Sequence, residues 1–297
     1  MIVLGFAHYR EQGRHLAAAL SCPYEEVTVH HFPDGESRVT LPLISTEEIS
    51  EVVLCRTLDR PNDKLIELHM VCHTLREQGI KKITLVAPYL CYMRQDKAFN
   101  PGEVVAQKVV GQWLGGMVDR VITVDPHLHR IHRLDEAIPK TENSVLSAAP
   151  LIADFLGQST INPLLLGPDE ESQQWVSQIA DQAGLDWAVA KKRRYSDHKV
   201  RVDLPQRAVI DRHVVIIDDV ASTGHTLAEA AADLHRAGAK EVSCFVTHPL
   251  LSEGAEAVLT TAGISHLWSS DTIPHRSNVV SLTPLLAEAV RCPTHAL

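Results

Sequence analysis

The sequence has no long apolar segment, no excess of basic residues and no closely paired cysteines. No apolar run reaches the roughly 20 residues that a transmembrane helix needs, which argues against an integral membrane protein. Lys and Arg total 28 against 37 Asp and Glu, and the resulting net charge of −9 argues against a nucleic-acid-binding protein. The six scattered cysteines lack a Cys-x-x-Cys pair, which predicts reduced thiols rather than disulfides or a zinc site.

The N-terminus also lacks the basic segment and the cleavage site of a secretory signal. Met1 is followed at once by an apolar, strand-like stretch, so we expect a cytoplasmic protein that has no membrane partner. Apolar residues make up 45% of the chain and charged residues 22%, a balance that supports a full hydrophobic core. At roughly 150 residues per domain, this length predicts one large domain or two ordinary ones.

Short β-branched runs alternate with longer amphipathic segments along the chain. The predicted strands are 52–55, 83–87, 121–124, 164–166, 214–217 and 242–246. The predicted helices are 64–77, 104–114, 173–183 and 227–237. Continuous apolar strands separated by helices are typical of parallel sheets buried on both faces, so the predicted fold class is α/β.

A unit of strand, polar loop, helix and strand occurs twice, at 52–88 and again at 214–249. In each copy the helix ends in Gly, and Lys and an apolar strand follow. We therefore predict two related domains, each a mostly parallel sheet flanked by helices. The first is 1–145, joined by a C-terminal helix at 284–297, and the second is 146–283.

The polar loop of the second copy suits a sugar phosphate. Asp218 and Asp219 follow a predicted strand, at the sheet edge where ligands of open α/β sheets bind. Small polar residues then lead into a helix: Ser222, Thr223, Gly224, His225 and Thr226. The N–H groups of such a helix start can bind a phosphate, and the aspartates can accept hydrogen bonds from sugar hydroxyls or hold a divalent cation. The bare pattern leaves an acidic turn with a capping hydroxyl as the alternative.

This loop resembles the ribose-5-phosphate loop of type I phosphoribosyltransferases and of ribose-phosphate pyrophosphokinases. Further segments resemble pyrophosphokinase signatures in the family's order: 32–36, 88–97, 124–127, 167–169, 191–194 and 271–274. Phosphoribosyltransferases are shorter and lack the N-terminal segments, so the resemblance favours the pyrophosphokinase family. It implies transfer of the β,γ-diphosphoryl group of ATP to the 1-hydroxyl of ribose 5-phosphate, which gives 5-phosphoribosyl 1-pyrophosphate and AMP.

The resemblance also implies a role for each matching residue. ATP is assigned to Phe32, Asp34, Glu36, Arg94 and Gln95. Ribose 5-phosphate is assigned to Asp218, Asp219, Ser222, Thr223, Gly224, His225 and Thr226. The catalytic pair is Lys192 and Arg194, on a loop that closes over ATP, and the Mg²⁺ ligands are His127 and Asp169. In the family the turn 32–36 serves the ATP of a neighbouring subunit, which implies a homo-oligomer, a dimer or higher.

Three residues depart from the bacterial pattern of the family. Ser222 stands where an acid is common, His225 where glycine is common, and Lys191 where aspartate is usual. The serine and the stretch 98–103 resemble the archaeal-type branch. Two other functions stay open, a phosphoribosyltransferase and a pyrophosphokinase-like regulatory subunit without activity. The latter would be expected to lack Lys192, Arg194 or His127, and all three are present.

Overall fold

The structure is a computed structural model that describes residues 1–45, 48–128, 130–158, 162–169, 172–196, 199–203 and 209–292. Over 191–203 the description covers the backbone. The chain divides into two compact units. The first contains Met1–Leu146, Thr272–Pro274 and the C-terminal stretch that begins at Leu282, and the second contains Ser147–Asp271 and His275–Ser281.

The first unit contains a seven-stranded sheet. Its strands are β1 Ile2–Phe6, β2 Tyr24–His31, β3 Ser37–Thr40, β4 Glu51–Cys55, β5 Lys82–Val86, β6 Arg120–Val124 and β7 Glu142–Leu146. The strand order is β3-β2-β1-β4-β5-β6-β7. The β2–β3 hairpin is antiparallel, and the other neighbouring strands are parallel.

The second unit contains a six-stranded parallel sheet and a separate two-stranded ribbon. In chain order its strands are β8 Leu164–Gly167, β9 Trp187–Val189, β10 Lys191–Ser196, β11 Lys199–Asp203, β12 His213–Ala221, β13 Glu241–Pro249, β14 Ile264–Ser270 and β15 Asn278–Val280. The sheet order is β15-β14-β13-β12-β8-β9. Strands β10 and β11 form the antiparallel ribbon.

The two sheets share one topology. If the parallel strands of each unit are renumbered from one in chain order, both sheets have the strand order 2-1-3-4-5-6. Strand β3 is an additional, antiparallel strand of the first sheet. The prediction of two related α/β domains is therefore confirmed. The strand order reverses between β1 and β4 in the first unit and between β8 and β12 in the second. Open α/β sheets bind ligands at such switch points.

Helices cover the sheets with their apolar faces. They are α1 Arg10–Leu20, α2 Pro61–Glu77, α3 Ala106–Met117, α4 Ala149–Gly157, α5 Gln173–Ala183, α6 His225–Arg236, α7 Ala255–Thr261 and α8 Thr283–Arg291. In α6 the buried residues recur every three or four positions, at Leu227, Ala230, Ala231 and Leu234, and they join the core around β12 and β13. Among the described helices, none combines the length and the apolar composition needed to cross a membrane.

A buried arginine anchors the C-terminal helix in the first unit. Arg120, at the start of β6, is 1% exposed, and its guanidinium donates to the backbone oxygen of Ala289 at 2.9 Å and to Ser144 Oγ at 3.0 Å. The last carbonyls of a helix have no partner within the helix, so a cation placed there stabilises the helix end. Arg291 also donates to the backbone oxygen of Ala19, at the end of α1.

Two predicted features differ from the structure. The predicted strand 214–217 continues to Ala221, because β13 pairs with it beyond the point where its pairing with β8 ends at Ile216. Asp218 and Asp219 therefore lie within an extended strand rather than after one. The predicted loop at 191–194 is strand β10, where backbone pairing with β11 outweighs the polar character of the residues.

Candidate active site

At the switch point of the second unit, Asp218 and Asp219 lie within range of the charge of a third carboxylate, Asp169. Asp218 and Asp219 lie on β12 past the end of β8, and Asp169 lies just after β8 on the neighbouring strand. Burial raises the pKa of Asp218 well above its usual value, and the charges of Asp219 and Asp169 raise it further. The backbone N–H of Asp219 donates to Asp218 Oδ1 at 3.0 Å and partly opposes this effect. The site therefore concentrates negative charge that a bound cation would offset.

The turn that carries Asp169 is held by a serine that the sequence did not single out. Ser172 is 1% exposed, and its hydroxyl donates to the backbone oxygen of Asp169 at 2.6 Å. The N–H of Ser172 lies 3.3 Å from Asp169 Oδ1. These contacts hold the Asp169 side chain in place just after β8.

Oxygen donors of this kind suit a hard divalent cation. In the described part of the chain, no three or more His, Cys, Asp or Glu side chains come together as a complete metal-binding set. Mg²⁺ is commonly bound by one or two carboxylates and completes its coordination with water and substrate phosphates. The aspartates at β8 and β12 fit a cation of that type.

Next to the aspartates, a tight loop leads into α6. Gly224 has φ +79°, in the left-handed region that favours glycine, and α6 begins at the next residue. A Cβ at Gly224 would lie 3.1 Å from Leu259 Cδ2 and 3.2 Å from the backbone oxygen of Ala255. The backbone oxygen of Ser222 accepts the N–H of Ser252 at 3.0 Å. One side of the loop therefore packs against α7 and Ser252. Thr223, His225 and Thr226 are exposed at the start of α6.

We expect Thr223→Ala to raise the KM for ribose 5-phosphate roughly tenfold to hundredfold, because a hydrogen bond to a charged group contributes about 1.5–3 kcal/mol. The KM for ATP should stay within about twofold. Initial rates with each substrate varied in turn measure both values. Thr260→Ala is the matched control, since its hydroxyl donates to the backbone oxygen of Glu256 within α7. An unchanged KM for ribose 5-phosphate in Thr223→Ala would show that the loop is only structural.

The residues assigned to the ATP base lie at the tip of the β2–β3 hairpin. Phe32 is 39% exposed, and its backbone N–H donates to the oxygen of Glu36 at 2.8 Å. The N–H of Glu36 in turn donates to Asp34 Oδ1 at 3.1 Å. The turn thus presents an exposed ring beside two exposed carboxylates, an arrangement that can stack on a flat base and accept hydrogen bonds from its amine.

Arg94 and Gln95 lie between β5 and α3, close to the segment that holds His127. Arg94 is exposed, and the backbone oxygen of Gln95 accepts the N–H of Gln107 at 3.2 Å. Arg130 donates from Nη1 to both carboxylate oxygens of Asp96, at 2.6 and 2.8 Å. This contact joins the Arg94–Gln95 segment to the loop after β6. Sequence reasoning missed the link because the two segments are far apart in the chain.

His127 follows β6 in a turn whose backbone is well anchored. Asp125 adopts φ +38° and donates its N–H to the backbone oxygen of Leu146 at 2.9 Å. His127 itself is half-buried, while His132 is exposed and donates its backbone N–H to Glu136 Oε1 at 3.0 Å. His129 lies outside the described residues.

The basic run lies on β10 of the ribbon. Lys192 pairs with Val202 and Arg194 with Val200 in the antiparallel register. Because side chains alternate along a strand, positions 192 and 194 share one face of β10, and position 191 lies on the other. The side chains of this run lie outside the described part of the structure.

At the switch point of the first unit, polar and charged side chains of the protein contact one another. Lys64 Nζ lies 2.6 Å from Asp59 Oδ1 and donates to the backbone oxygen of Thr57 at 3.1 Å, and His8 Nε2 lies 3.3 Å from Asp59 Oδ2. Burial opposes ionisation of Asp59, but the hydrogen bonds from His8 and Lys64 outweigh it and hold the pKa of Asp59 below its usual value. The two copies of the repeat thus differ: oppositely charged groups pair at the switch point of the first unit, whereas carboxylates lie near one another at that of the second.

Comparison with known proteins identifies the class and then the family. Residues 136–266 match the phosphoribosyl transferase domain, so the second unit is a domain of that class. Residues 1–117 match the N-terminal domain of ribose phosphate pyrophosphokinase. The ribose-phosphate pyrophosphokinase of Methanopyrus kandleri is 32% identical over 98% of both chains, and that of Saccharolobus solfataricus is 32% identical over 92% of this chain and 93% of its own. The chain therefore belongs to the ribose-phosphate pyrophosphokinase family, and it is an enzyme.

A solved structure supports the same fold over the whole chain. The crystal structure of phosphoribosylpyrophosphate synthetase from Mycobacterium smegmatis superimposes with a TM-score of 0.81 at 24% sequence identity, covering 98% of this chain and 97% of its own. The likeness confirms the two-unit α/β architecture. The relatives from Methanopyrus kandleri and Saccharolobus solfataricus are archaeal, in agreement with the resemblance of the sequence motifs to the archaeal-type branch.

Proposed function

We propose that the chain transfers the β,γ-diphosphoryl group of ATP to the 1-hydroxyl of ribose 5-phosphate, and so forms 5-phosphoribosyl 1-pyrophosphate and AMP. The observation that carries the proposal is the presence of two different binding features in one chain. The second unit has a candidate sugar-phosphate loop next to the carboxylates of Asp218 and Asp219, and the first unit has an exposed aromatic turn suited to a base. A phosphoribosyltransferase has a use for the first feature alone.

The sugar phosphate is held by the loop after β12. The N–H groups at the start of α6 and the Thr223 hydroxyl bind the 5-phosphate, because the helix N-terminus carries partial positive charge. Asp218 and Asp219 accept hydrogen bonds from the sugar hydroxyls. These contacts orient the 1-hydroxyl, whose oxygen then attacks the β-phosphorus of ATP in line. The bond from that phosphorus to the bridging oxygen of the α-phosphate breaks, AMP leaves, and the hydroxyl proton passes to solvent.

ATP is held by residues of the first unit. Phe32 stacks on the base, Asp34 and Glu36 accept hydrogen bonds from its amine, and Arg94 and Gln95 contact the nucleotide. Lys192 and Arg194 supply positive charge for the oxygens of the transferred group, on which negative charge develops in the transition state. Closure of the ribbon over ATP would exclude water, since hydrolysis is the competing reaction.

The reaction requires a divalent cation, which we propose is Mg²⁺. Asp169 and the aspartates of β12 fit it best, and His127 is the further ligand that the resemblance implies, although nitrogen is an unusual ligand for this hard ion. When bound, the ion neutralises charge on the phosphates of ATP. We further propose that the chain forms a homo-oligomer, since the turn at 32–36 lies exposed at the tip of a hairpin and can reach the ATP of a neighbouring subunit.

The direct test is to incubate the purified protein with ATP, Mg²⁺ and ribose 5-phosphate and to identify the products by chromatography and mass spectrometry. We expect AMP and 5-phosphoribosyl 1-pyrophosphate in equal amounts, and neither product when the metal is chelated. Formation of ADP would mean γ-phosphoryl transfer and would contradict the proposal. Consumption of 5-phosphoribosyl 1-pyrophosphate with a base acceptor would favour a phosphoribosyltransferase, and no turnover at all would favour a regulatory subunit.

A further inference from the structure

The tip of the β2–β3 hairpin extends beyond the sheet that supports its base. Strand β2 pairs with β1 over the stretch that ends at Val27, whereas its pairing with β3 runs from Thr28 to His31. The distal half of the hairpin is therefore a two-stranded ribbon, which is only marginally stable by itself. An exposed turn at such a tip needs a further contact if it is to hold one position.

That contact is made by one carboxylate. His31 and Ser37 form the last cross-strand pair before the turn 32–36. His31 Nε2 lies 2.9 Å from Glu67 Oε1, and the Ser37 hydroxyl donates to the same oxygen at 3.0 Å. These two hydrogen bonds tie the distal half of the hairpin to helix α2.

The carboxylate is itself rigidly held. Glu67 lies on α2, is 1% exposed, and its Oε2 accepts a hydrogen bond from Arg56 Nη2. Arg56 directly follows β4, donates to the backbone oxygen of Lys64 at 3.2 Å, and has its guanidinium 3.9 Å from the centre of the Phe6 ring. Burial opposes ionisation of Glu67, but the hydrogen bond and charge of Arg56, with the hydrogen bonds from Ser37 and His31, hold the pKa of Glu67 below its usual value. The anchor is thus an ionised carboxylate fixed to the central sheet.

The opposite face of the hairpin presents the aromatic ring. His30 and Arg38 form the preceding cross-strand pair, and side chains of adjacent residues point to opposite faces. The ring of Phe32 lies edge-on to His30 at a centroid distance of 4.9 Å, and the guanidinium of Arg38 lies 5.9 Å from the ring centre. One face of the tip is therefore bound to Glu67, and the other face carries the exposed ring.

We infer that Glu67, held by Arg56, is a positioning residue for ATP, because it fixes the turn 32–36 through His31 and Ser37. The inference rests on the proposed role of Phe32, Asp34 and Glu36 in binding the base. Glu67 acts through the hairpin and does not touch the nucleotide. Loss of the tie lets the turn sample other positions, so ATP binding weakens while the chemistry and the sugar-phosphate site are unaffected.

The test uses the double variant His31→Ala/Ser37→Ala. Removal of Glu67 itself would leave Arg56 as a buried unpaired charge and could unfold the protein, whereas the double variant keeps that ion pair. We expect the KM for ATP to rise about tenfold, and the kcat and the KM for ribose 5-phosphate to stay within about twofold. The single variant Ser37→Thr keeps His31 and a hydroxyl at position 37. It should therefore recover about half or more of the ATP affinity that the double variant loses.

The matched control is Thr28→Ala/Thr40→Ala, an exposed cross-strand pair on the same two strands. It should leave all three kinetic values unchanged. A fall in kcat, an equal rise in both KM values, or an unchanged KM for ATP in the test variant would overturn the inference. Calorimetric titration with a non-hydrolysable ATP analogue separates this inference from the proposed reaction, because it measures binding without turnover. If the wild-type protein binds the analogue but forms no AMP, the proposed reaction fails, and weaker binding to the double variant would still support the positioning role.

Discussion

We expect Lys192→Ala to lower kcat by about a hundredfold to a thousandfold while changing the KM for ATP by less than about threefold. In diphosphoryl transfer negative charge is spread over the oxygens of the moving group, so a cation placed there acts mainly in the transition state. Loss of one preorganised donor of this kind typically costs about 2.7–4 kcal/mol. Steady-state kinetics with both substrates varied separates the effect on kcat from that on KM.

The neighbouring lysine is an internal control of the same charge and length. Lys191 occupies the opposite face of β10 from positions 192 and 194 by the alternation of the strand. Lys191→Ala should therefore leave kcat within about twofold of the wild-type value. Equal losses in the two variants would mean that the run acts only as a general basic surface, and the assignment of Lys192 would be wrong.

The second large effect is expected for Asp218→Asn, which should abolish most activity and at the same time raise the melting temperature. The loss of a charged acceptor for a substrate hydroxyl costs about 1.5–3 kcal/mol, which is roughly a tenfold to hundredfold fall in kcat/KM. The neutral amide also removes the repulsion from Asp219 and Asp169 in a buried site. About 1 kcal/mol of added stability shifts the melting temperature by about 2–4 °C in a domain of this size.

The stabilisation should depend on pH in a defined direction. The pKa of Asp218 is raised in the folded state, so its contribution to stability is present below the ordinary carboxyl pKa of about 3.9 and is lost as pH rises through the raised value. The difference between the melting temperatures of wild type and variant should therefore grow as the pH rises from about 3.9, as measured by scanning calorimetry. Asp154→Asn, at an exposed position on α4, should show no such difference. A variant that is less stable than the wild type at every pH would contradict the electrostatic account.

Much of the fold was predictable because local pattern and tertiary structure agree. The helix predicted at 173–183 is observed as Gln173–Ala183, and the strand predicted at 121–124 is observed as Arg120–Val124. The predictions were wrong where pairing overrides composition. Strand β12 extends through Asp218 and Asp219 because β13 offers backbone partners there, and β10 is a strand although its residues are basic.

The sugar-phosphate loop could be predicted from the sequence, and the support for the ATP turn could not. The residues of the loop are adjacent in the chain. The tight turn before the helix needs a residue with positive φ, and Gly224 provides it with φ +79°. Glu67 gave no such signal, since it reads as one of several acidic residues on an amphipathic helix. Its contacts with His31 and Ser37 depend on where α2 crosses the sheet.

The sequence by itself determined the α/β class, the duplicated unit and the residues of the sugar-phosphate loop, because hydrophobic periodicity and short motifs are properties of neighbouring residues. Only the tertiary structure decided which distant groups share a site. The order of the strands places Asp169 near Asp218 in the second unit. At the equivalent point of the first unit it places Lys64 and Asp59 together as an ion pair. The physical reason is that a buried charge depends on the partners that surround it in space, and the order of strands in a sheet is not encoded in the period of any one strand.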